Sequence, residues 1–591
     1  MVPSKSTIIN AIKEQGYNKG IQCLLRGMAN ILRKQIPDAI RVWSGYRTQD
    51  IHAPVFVVML RKKTIIPEKK ILSELYDDYE IVFRNEHTPN EEEVRISEQS
   101  KVNANTKDVA LILDCIAKNT ERLMNEHSNL SIIAASTVKA IGFNGCVSKL
   151  KLIESRCVVL YVPLKGIIPV GEKEFPKDID GINTDVREGE FICHGQNEEN
   201  TWHPKLPMGC CISTKAGQSG TLGGFVDLPG GKTGCITAAH VVLSKTESKN
   251  YLKSKKKKKD RYNASLAQGE TIIDIYQPTC KMDAFGRVSK IAYEEGNILE
   301  PSIDAALIEI TDHQRTPHTG MFPSGNYPVI GFTEENPMIY NRGKTRYHSN
   351  ISRGSRVVKY GYSTNITHGK LEWNGSSVRN LNTGGQSWHR LKAGNIPYPK
   401  FFNQMVVKSS DKINFSAPGD SGALVFLYHR SSRDLEAIGL LIGSSTHKSP
   451  AQMHIVTPIQ AVFQKLKLDN VTFKCFPDIS QEEQNLAMNE LIYSRQRPEI
   501  QHEISNTRIN ELKEEIKEEL KEALTKEMKE TTKLEMNAMQ EVMKETTKSV
   551  INAIKEEIRE SVKEQINTGI CSLEQTIIRL LPRPGGDAGN G

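Results

Sequence analysis

The stretch that decides the fold is APGDSG at residues 417–422, which runs directly into the apolar segment ALVFLY at 423–428. Glycine at 419 allows the backbone to turn its N–H to the same side as that of Ser421. A serine hydroxyl beside two such donors has the parts of a nucleophile, because the donors can stabilise the negative charge that attack creates. Taken alone, this glycine-rich turn also fits an ordinary loop.

A histidine at the end of an apolar strand is the second feature. The segment TAAH occupies residues 237–240, and its small residues would let the His240 ring sit against the sheet. Such a histidine is more often a structural residue. Its occurrence before Ser421 in the same part of the chain favours a role as the general base.

The third feature is an acid at the start of a buried strand. Asp304 lies in SIDAALI at 302–308, where a buried carboxylate could orient an imidazole. Other acids in the region are alternatives: Asp274, Asp283 and Asp312. We favour Asp304 because the apolar run that follows would hold it rigidly.

Short strands separated by glycine turns extend over residues 208–470. The runs TLGGFV and CITAAH flank a Pro-Gly-Gly turn, which is a hairpin signal. Further strands are predicted at RVSKIAY, AALIEI, SRVVKYGY, QMVVKS, ALVFLY and AIGLLIG. This succession of short strands and turns predicts one β-barrel domain or a pair of barrels.

The order TAAH, IDAALI, GDSG resembles that of the trypsin/chymotrypsin-like serine peptidases, over residues 208–470. The resemblance implies an all-β double β-barrel without metal or cofactor. It implies that His240 is the base and Asp304 its orienting acid. Ser421 would be the nucleophile, with oxyanion-hole N–H groups from Gly419 and Ser421.

Departures from that family predict an intracellular form that is not made as a zymogen. Val241 stands where secreted members have a disulfide-bonded cysteine, and no Arg-Ile-Val-Gly-Gly activation sequence opens the domain. Asp420 must therefore have a partner other than a freed N-terminus. Phe415 replaces the pocket aspartate of trypsin-like members, which favours apolar or small side chains over Arg and Lys.

The N-terminal part contains a candidate duplication. The runs VFVVML at 55–60 and CVVLYV at 157–162 both lead to the tripeptide IIP, and a second strand follows each. This predicts two α/β modules, at 1–100 and 101–200, with a helix from Val109 to Leu123 between the copies. The alternative is two unrelated buried strands. Segment 195–207 is polar and predicted to be a linker.

Residues 503–581 have apolar positions at steps of mostly four and alternate Glu with Lys. This predicts a long helix that forms a coiled coil and makes the protein a homo-oligomer. The alternative is a single amphipathic helix. The tail at 582–591 is predicted to be disordered.

Composition places the protein among soluble intracellular proteins. The net charge is +8, no apolar run is long enough to span a membrane, and the N-terminus does not resemble a signal peptide. The 11 cysteines are expected to be free thiols, as in the cytoplasm. A candidate basic patch could serve as a nuclear address or contact nucleic acid: Lys255, Lys256, Lys257, Lys258 and Lys259.

These observations predict a serine endopeptidase acting on protein or peptide substrates. Two alternatives remain. One is a peptidase-fold scaffold without activity, against which the presence of all three polar residues argues. The other is a nucleic-acid-linked regulator that uses the lysine run, although no aromatic residues interleave there for base stacking.

Overall fold

The computed structural model describes two compact units, Met1–Gln496 and Arg497–Gly591. The described residues are 3–36, 38–61, 76, 78–85, 92–93, 95–96, 106–142, 150–194, 201–256, 261–279, 282–297, 299–317, 319–323, 332, 338–381, 399–410, 413–429, 434–447, 451–468, 471–477 and most positions between 540 and 569.

The N-terminal layer consists of two helices on a four-stranded sheet. Its elements are α1 (Lys5–Gln15), α2 (Lys19–Gln35), β1 (Ala39–Arg47), β2 (Asp50–Leu60), β3 (Glu80–Asn85) and β6 (Ile167–Pro169). The strand order is β3-β2-β1-β6, with β2 and β3 parallel. Leu25 and Leu32 of α2 share one core with Phe56 and Val58, so the predicted strand at 55–60 is central and buried.

The next segment has the same order of elements. They are α3 (Thr106–Glu126), β4 (Ile132–Ile141), β5 (Lys151–Val162), β7 (Asp178–Ile179), β8 (Ile182–Glu188) and β9 (Phe191–Cys193). In both segments a helix precedes two antiparallel strands, and the second strand has a parallel neighbour. The helix predicted at 109–123 is confirmed as α3. Duplication itself stays a prediction, and the first IIP tripeptide, at 65–67, lies outside the described residues.

A seven-stranded sheet carries the histidine and the acid. Its strands are β10 (Cys211–Thr214), β11 (Ser219–Thr221), β12 (Gly224–Leu228), β13 (Lys232–Thr237), β14 (Asp274–Tyr276), β15 (Ala284–Glu294) and β16 (Ile303–Ile310). The N–H groups of Leu222 and Gly223, between β11 and β12, bond to Cys210 and Ile236 on opposite edges. This bent segment therefore closes the sheet into a barrel. The predicted hairpin at the Pro-Gly-Gly turn joins β12 to β13.

The second barrel carries the serine. Its strands are β17 (Arg356–Gly361), β18 (Asn365–Arg379), β19 (Lys400–Ser409), β20 (Leu424–Tyr428), β21 (Leu435–Ser445) and β22 (Met453–Pro458). Because β17 pairs with both β18 and β20, the order β17-β20-β21-β22-β19-β18 closes on itself. Two β-barrel-like sheets are thus confirmed. Strand pairs β18–β4 and β21–β9 cross the predicted boundary near residue 208.

The chain between β13 and β14 is largely helical where it is described. It forms α4 (Ala239–Val242), α5 (Lys245–Lys256) and α6 (Arg261–Ala267); α7 (Ile459–Lys465) follows β22. Tyr251 of α5 is buried and its hydroxyl donates to the Ile291 carbonyl, so the insertion is attached to the barrel. Lys255 and Lys256 end α5, whereas 257–259 lie outside the described residues. Nucleic-acid binding by this run stays a prediction.

The predicted linker at 195–207 packs on the first barrel where it is described. Residues 195–200 lie outside the described part, but His203 and Leu206 are buried. The His203 N–H donates to the Gln277 side chain, and Leu206 bonds to Arg315. Residues 201–207 are therefore held by the barrel rather than free of it.

In the C-terminal unit, the described positions between 540 and 569 are helical and exposed. The coiled coil at 503–581 stays a prediction, and the tail at 582–591 lies outside the described residues. Within the described ranges, no helix combines the length and apolar character that crossing a membrane requires. The cysteines described there are free thiols.

Candidate active site

Three elements bring the predicted site residues together. His240 lies in α4 directly after β13, Asp304 lies on β16, and Ser421 lies in the turn before β20. His240 Nδ1 is 2.5 Å from Asp304 Oδ2, and His240 Nε2 is 2.9 Å from Ser421 Oγ. A continuous line of hydrogen bonds thus runs from the acid through the imidazole to the hydroxyl.

Pairing of β13 with β16 explains why this acid meets this histidine. Thr237 lies opposite Ala306, so Asp304 falls beside the residues that follow β13. Asp304 is fully buried, and its second oxygen accepts the His240 backbone N–H at 3.0 Å. The carboxylate therefore fixes both the ring and the backbone of the histidine.

The alternative acids are engaged elsewhere or exposed. Asp274 accepts a hydrogen bond from Arg287, and Asp312 caps the short helical turn that begins at His313. Asp283 is exposed. Among the acids considered, only Asp304 lies at His240.

The environment of His240 shifts the pKa of its imidazole. Burial lowers the pKa of its imidazole, but the charge and hydrogen bond of Asp304, together with the hydrogen bond to the His194 carbonyl, raise the pKa above its ordinary value of 6.5. A histidine of this kind is a stronger base than free imidazole. It is also oriented with Nε2 toward the serine, since Nδ1 faces the carboxylate.

The turn around Ser421 requires glycine at two positions. Gly419 has a φ of 103°, and a Cβ there would lie 2.2 Å from Ser363 Oγ and 2.5 Å from Tyr362 Oη. Gly422 has a φ of 92°, and a Cβ there would lie 2.1 Å from Thr237 Oγ1. Among the described residues, no hydrogen bond engages the N–H groups of Gly419 and Ser421. Both remain available as donors to a substrate oxygen.

Asp420 has the alternative partner that the missing activation sequence implies. Its Oδ2 lies 2.9 Å from Lys359 Nζ on β17, and both side chains are fully buried. Backbone N–H groups of Ser363, Thr364 and Ala417 also donate to this carboxylate. Asp420 is therefore held from within the barrel, and the turn needs no freed N-terminus to form.

The pocket next to Ser421 is defined here by Phe415, Ser416 and His454. Phe415 is buried and packs against His454 on β22, with ring centroids 5.3 Å apart. Ser416 Oγ lies 2.7 Å from His454 Nδ1. Burial lowers the pKa of His454 well below its ordinary value, so this ring is uncharged at neutral pH. The sequence indicated Phe415 here but not the serine and histidine beside it.

The structure also places two residues at the site that the motifs did not indicate. The His194 carbonyl oxygen lies 3.2 Å from His240 Nε2. Cys193 precedes it on β9, and burial raises the pKa of its thiol. No local sequence signal could have indicated them, because it is the long-range pairing of β9 with β21 that brings this part of the chain to the site.

Metal binding does not fit the observed arrangement. Single ligand atoms of Cys193, His240 and Asp304 lie within 4.8 Å of one another. However, both ring nitrogens of His240 already have hydrogen-bond partners. A metal ion at this trio would therefore displace the imidazole from the acid or the serine.

Neither a protein-family model nor a curated protein matches the chain. Solved structures with similarity include a glutamic-acid-specific serine protease that uses a novel histidine triad in substrate binding, at 18% identity and a TM-score of 0.28 over 45% of this chain and 100% of that one. Others are a chymotrypsin from Cellulomonas bogoriensis (14% identity, TM-score 0.27, 46% and 98%) and a protease from Nocardiopsis (14%, 0.28, 46% and 99%). At these values, the role of the site rests on its own geometry.

Proposed function

We propose that the protein is a serine-type endopeptidase that hydrolyses peptide bonds through His240, Asp304 and Ser421. The observation that carries the proposal is the line of hydrogen bonds from Asp304 through His240 to Ser421, next to the two available N–H donors. Nucleophile, base and charge stabiliser are the three parts that acyl transfer to a serine requires.

The reaction follows from these positions. Ser421 Oγ attacks the substrate carbonyl while His240 Nε2 takes its proton, and the N–H groups of Gly419 and Ser421 bind the resulting oxyanion. His240 then gives the proton to the leaving amine. Water, deprotonated by the same imidazole, releases the acyl-enzyme.

Two features favour activity over the alternative of a silent scaffold. The turn has no room for a side chain at residue 419, so glycine is required there and its N–H stays accessible. A scaffold has no use for an accessible N–H at this position. The buried Lys359–Asp420 pair is costly to desolvate and serves to hold this turn. A scaffold would need neither.

A burst assay with an activated ester tests the proposed reaction. The protein should release up to one equivalent of alcohol rapidly as the acyl-enzyme accumulates, and then turn over slowly. Ser421→Ala should abolish the burst, whereas Ser349→Ala, a change at an exposed serine, should preserve it. An equal burst from Ser421→Ala would contradict the assignment.

We also propose an intracellular homo-oligomer formed through residues 503–581. The support is the four-residue apolar spacing and the helical state of the described positions from 540 to 569. Deleting 503–581 should lower the mass measured by light scattering and leave ester hydrolysis unchanged. An unchanged mass would disprove the coiled coil.

A further inference from the structure

The cleft next to Ser421 is occupied by the chain itself. β9 lies antiparallel along the end of β21, with Cys193 opposite Gly443 and Ile192 opposite Ser444. Ile442 precedes the paired residues of β21, and its carbonyl oxygen accepts a hydrogen bond from Ser421 Oγ at 3.2 Å. An extended peptide that adds to the strand edge beside a nucleophile is in the position of a bound substrate.

The fit between β9 and β21 is close. A Cβ at Gly443 would lie 2.2 Å from the Ile192 carbonyl oxygen and 2.8 Å from the Phe191 ring. Gly443 therefore has room for a peptide backbone only because it lacks a side chain. Phe191 is fully buried, with its ring 6.3 Å from that of Phe401.

His194 occupies the pocket. Its side chain is 1% exposed, and its Nε2 lies 3.2 Å from Ser416 Oγ, which also contacts His454. Burial lowers the pKa of His194 to about 4, so its ring is neutral at neutral pH. A histidine side chain is neither apolar nor small, so it differs from the substrate side chain that Phe415 led us to expect.

The backbone carbonyl of His194 lies close to His240 and Ser421. The His194 carbonyl oxygen lies 3.2 Å from His240 Nε2, the same nitrogen that lies 2.9 Å from Ser421 Oγ. Among the described residues, this oxygen has no bond from Gly419 or Ser421 N–H. A rotation of the carbonyl toward those donors must therefore precede attack.

The upstream end of the segment is fixed. Glu190 forms a two-bonded salt bridge with Arg41 of β1, at 2.6 and 2.8 Å, and its carbonyl accepts the Thr446 N–H. Glu190 thus anchors the segment twice, through its side chain to β1 and through its carbonyl to Thr446, the residue after β21. This raises its effective concentration at Ser421 without any free substrate.

We propose that the protein cleaves its own His194–Gly195 peptide bond in an intramolecular reaction. The inference rests on the proposed function. Ser421 Oγ bonds to the His194 carbonyl carbon, its proton passes through His240 to the leaving amine of Gly195, and the C–N bond breaks. Water then hydrolyses the acyl-enzyme, which restores Ser421 and leaves a carboxylate at His194.

Intact mass and N-terminal sequencing of the purified full chain test the proposal. The unmodified chain should yield a fragment that begins Gly195-Gln196-Asn197, while Ser421→Ala stays whole and Ser349→Ala is cleaved normally. Ser421→Ala should also stay whole when mixed with active protein, since the reaction is intramolecular. Cleavage at another bond, or cleavage of Ser421→Ala in the mixture, would overturn the proposal.

Gly443→Ala separates failure of this inference from failure of the proposed function. The added methyl group should displace the segment, so self-cleavage should fall several-fold while a fluorophosphonate labels Ser421 faster than in the unmodified chain. A chain that is never cleaved but is labelled at Ser421 would overturn self-cleavage and leave the peptidase intact. Absence of both cleavage and labelling, in both proteins, would overturn the proposed function.

Discussion

Two regions meet at Ser421, and they are held in different ways. The turn at 416–422 is fixed from inside the second barrel, because the Asp420 carboxylate binds a buried lysine and three backbone N–H groups. Residues 191–194 instead lie on a strand edge and fill a pocket. The turn is therefore organised independently of the segment that lies against it. Substitutions that disrupt the turn should therefore impair reaction at Ser421 and the seating of the segment. Substitutions that displace the segment should leave the turn and its hydrogen bonds intact.

Lys359→Met should have the largest effect. It leaves the Asp420 carboxylate buried without its cation, and breaking a buried ion pair on one side typically costs about 3–5 kcal/mol. We expect that loss in the free energy of unfolding measured in urea, together with loss of the ester burst.

Lys474→Met is the matched control, because Lys474 pairs with Asp227 at a site where the carboxylate is 56% exposed. Its cost should stay below about 1 kcal/mol. Equal stability of the two variants would refute the structural role of the buried pair.

Gly419→Ala should lower activity with less loss of stability. The new Cβ would meet Ser363 Oγ and Tyr362, so the turn must shift and the Gly419 N–H must leave the oxyanion position. Removing one such donor lowers kcat by about 10²–10³. Gly354→Ala is the control, since Gly354 has a similar φ of 81° in open surroundings. If ester hydrolysis falls equally in both variants, backbone strain rather than the lost donor is responsible.

The pH profile of ester hydrolysis should locate the base. Only neutral His240 can accept a proton, and Asp304 raises its pKa above 6.5 despite burial. Activity should therefore fall as the pH drops through a value above 6.5, by about tenfold per unit below it. Asp304→Asn should move that limb to lower pH. A limb that stays in place in Asp304→Asn would show that another group is being titrated.

Arg41→Gln should have the smallest effect and should act on the segment alone. Loss of the salt bridge to Glu190 loosens its upstream anchor, so fluorophosphonate should label Ser421 several-fold faster. Arg47→Gln is the control on the same strand, because its partner Glu80 is exposed and belongs to β3 rather than to the segment. Equal labelling rates in both variants would mean that the anchor does not hold the segment.

The same contrast explains how far the sequence could predict the site. Each of the three site residues lies in a short motif that can be recognised from the small residues or glycines around it. The three are His240, Asp304 and Ser421. Lys359 lies 61 positions from Asp420, and His194 lies 222 positions from Ser416. A lysine in a strand and a histidine before a polar stretch carry no local signal of these contacts. Only the closing of the second barrel and the β9–β21 pairing create them.

The secondary-structure elements likewise fall into those that local sequence patterns predict and those that they do not. The strand at 423–428 follows from an apolar run after a glycine turn, and helix α3 follows from helical periodicity; both are local properties of the sequence. Charged and polar residues dominate the lysine-rich insertion and give little apolar periodicity, yet Lys245–Lys256 is helical and Tyr251 within it is buried. The edge strand β9 has three residues, too few for a periodic pattern.

Labelling by a fluorophosphonate, mapped by mass spectrometry, tests the central claim most directly. We predict one phosphonyl group on the peptide that contains Ser421, formed by the folded protein and prevented by His240→Ala or by unfolding in urea. Labelling that is equally fast in His240→Ala or in the unfolded chain would contradict an activated nucleophile. So would an unlabelled Ser421 in the folded Gly443→Ala protein, where the cleft is open.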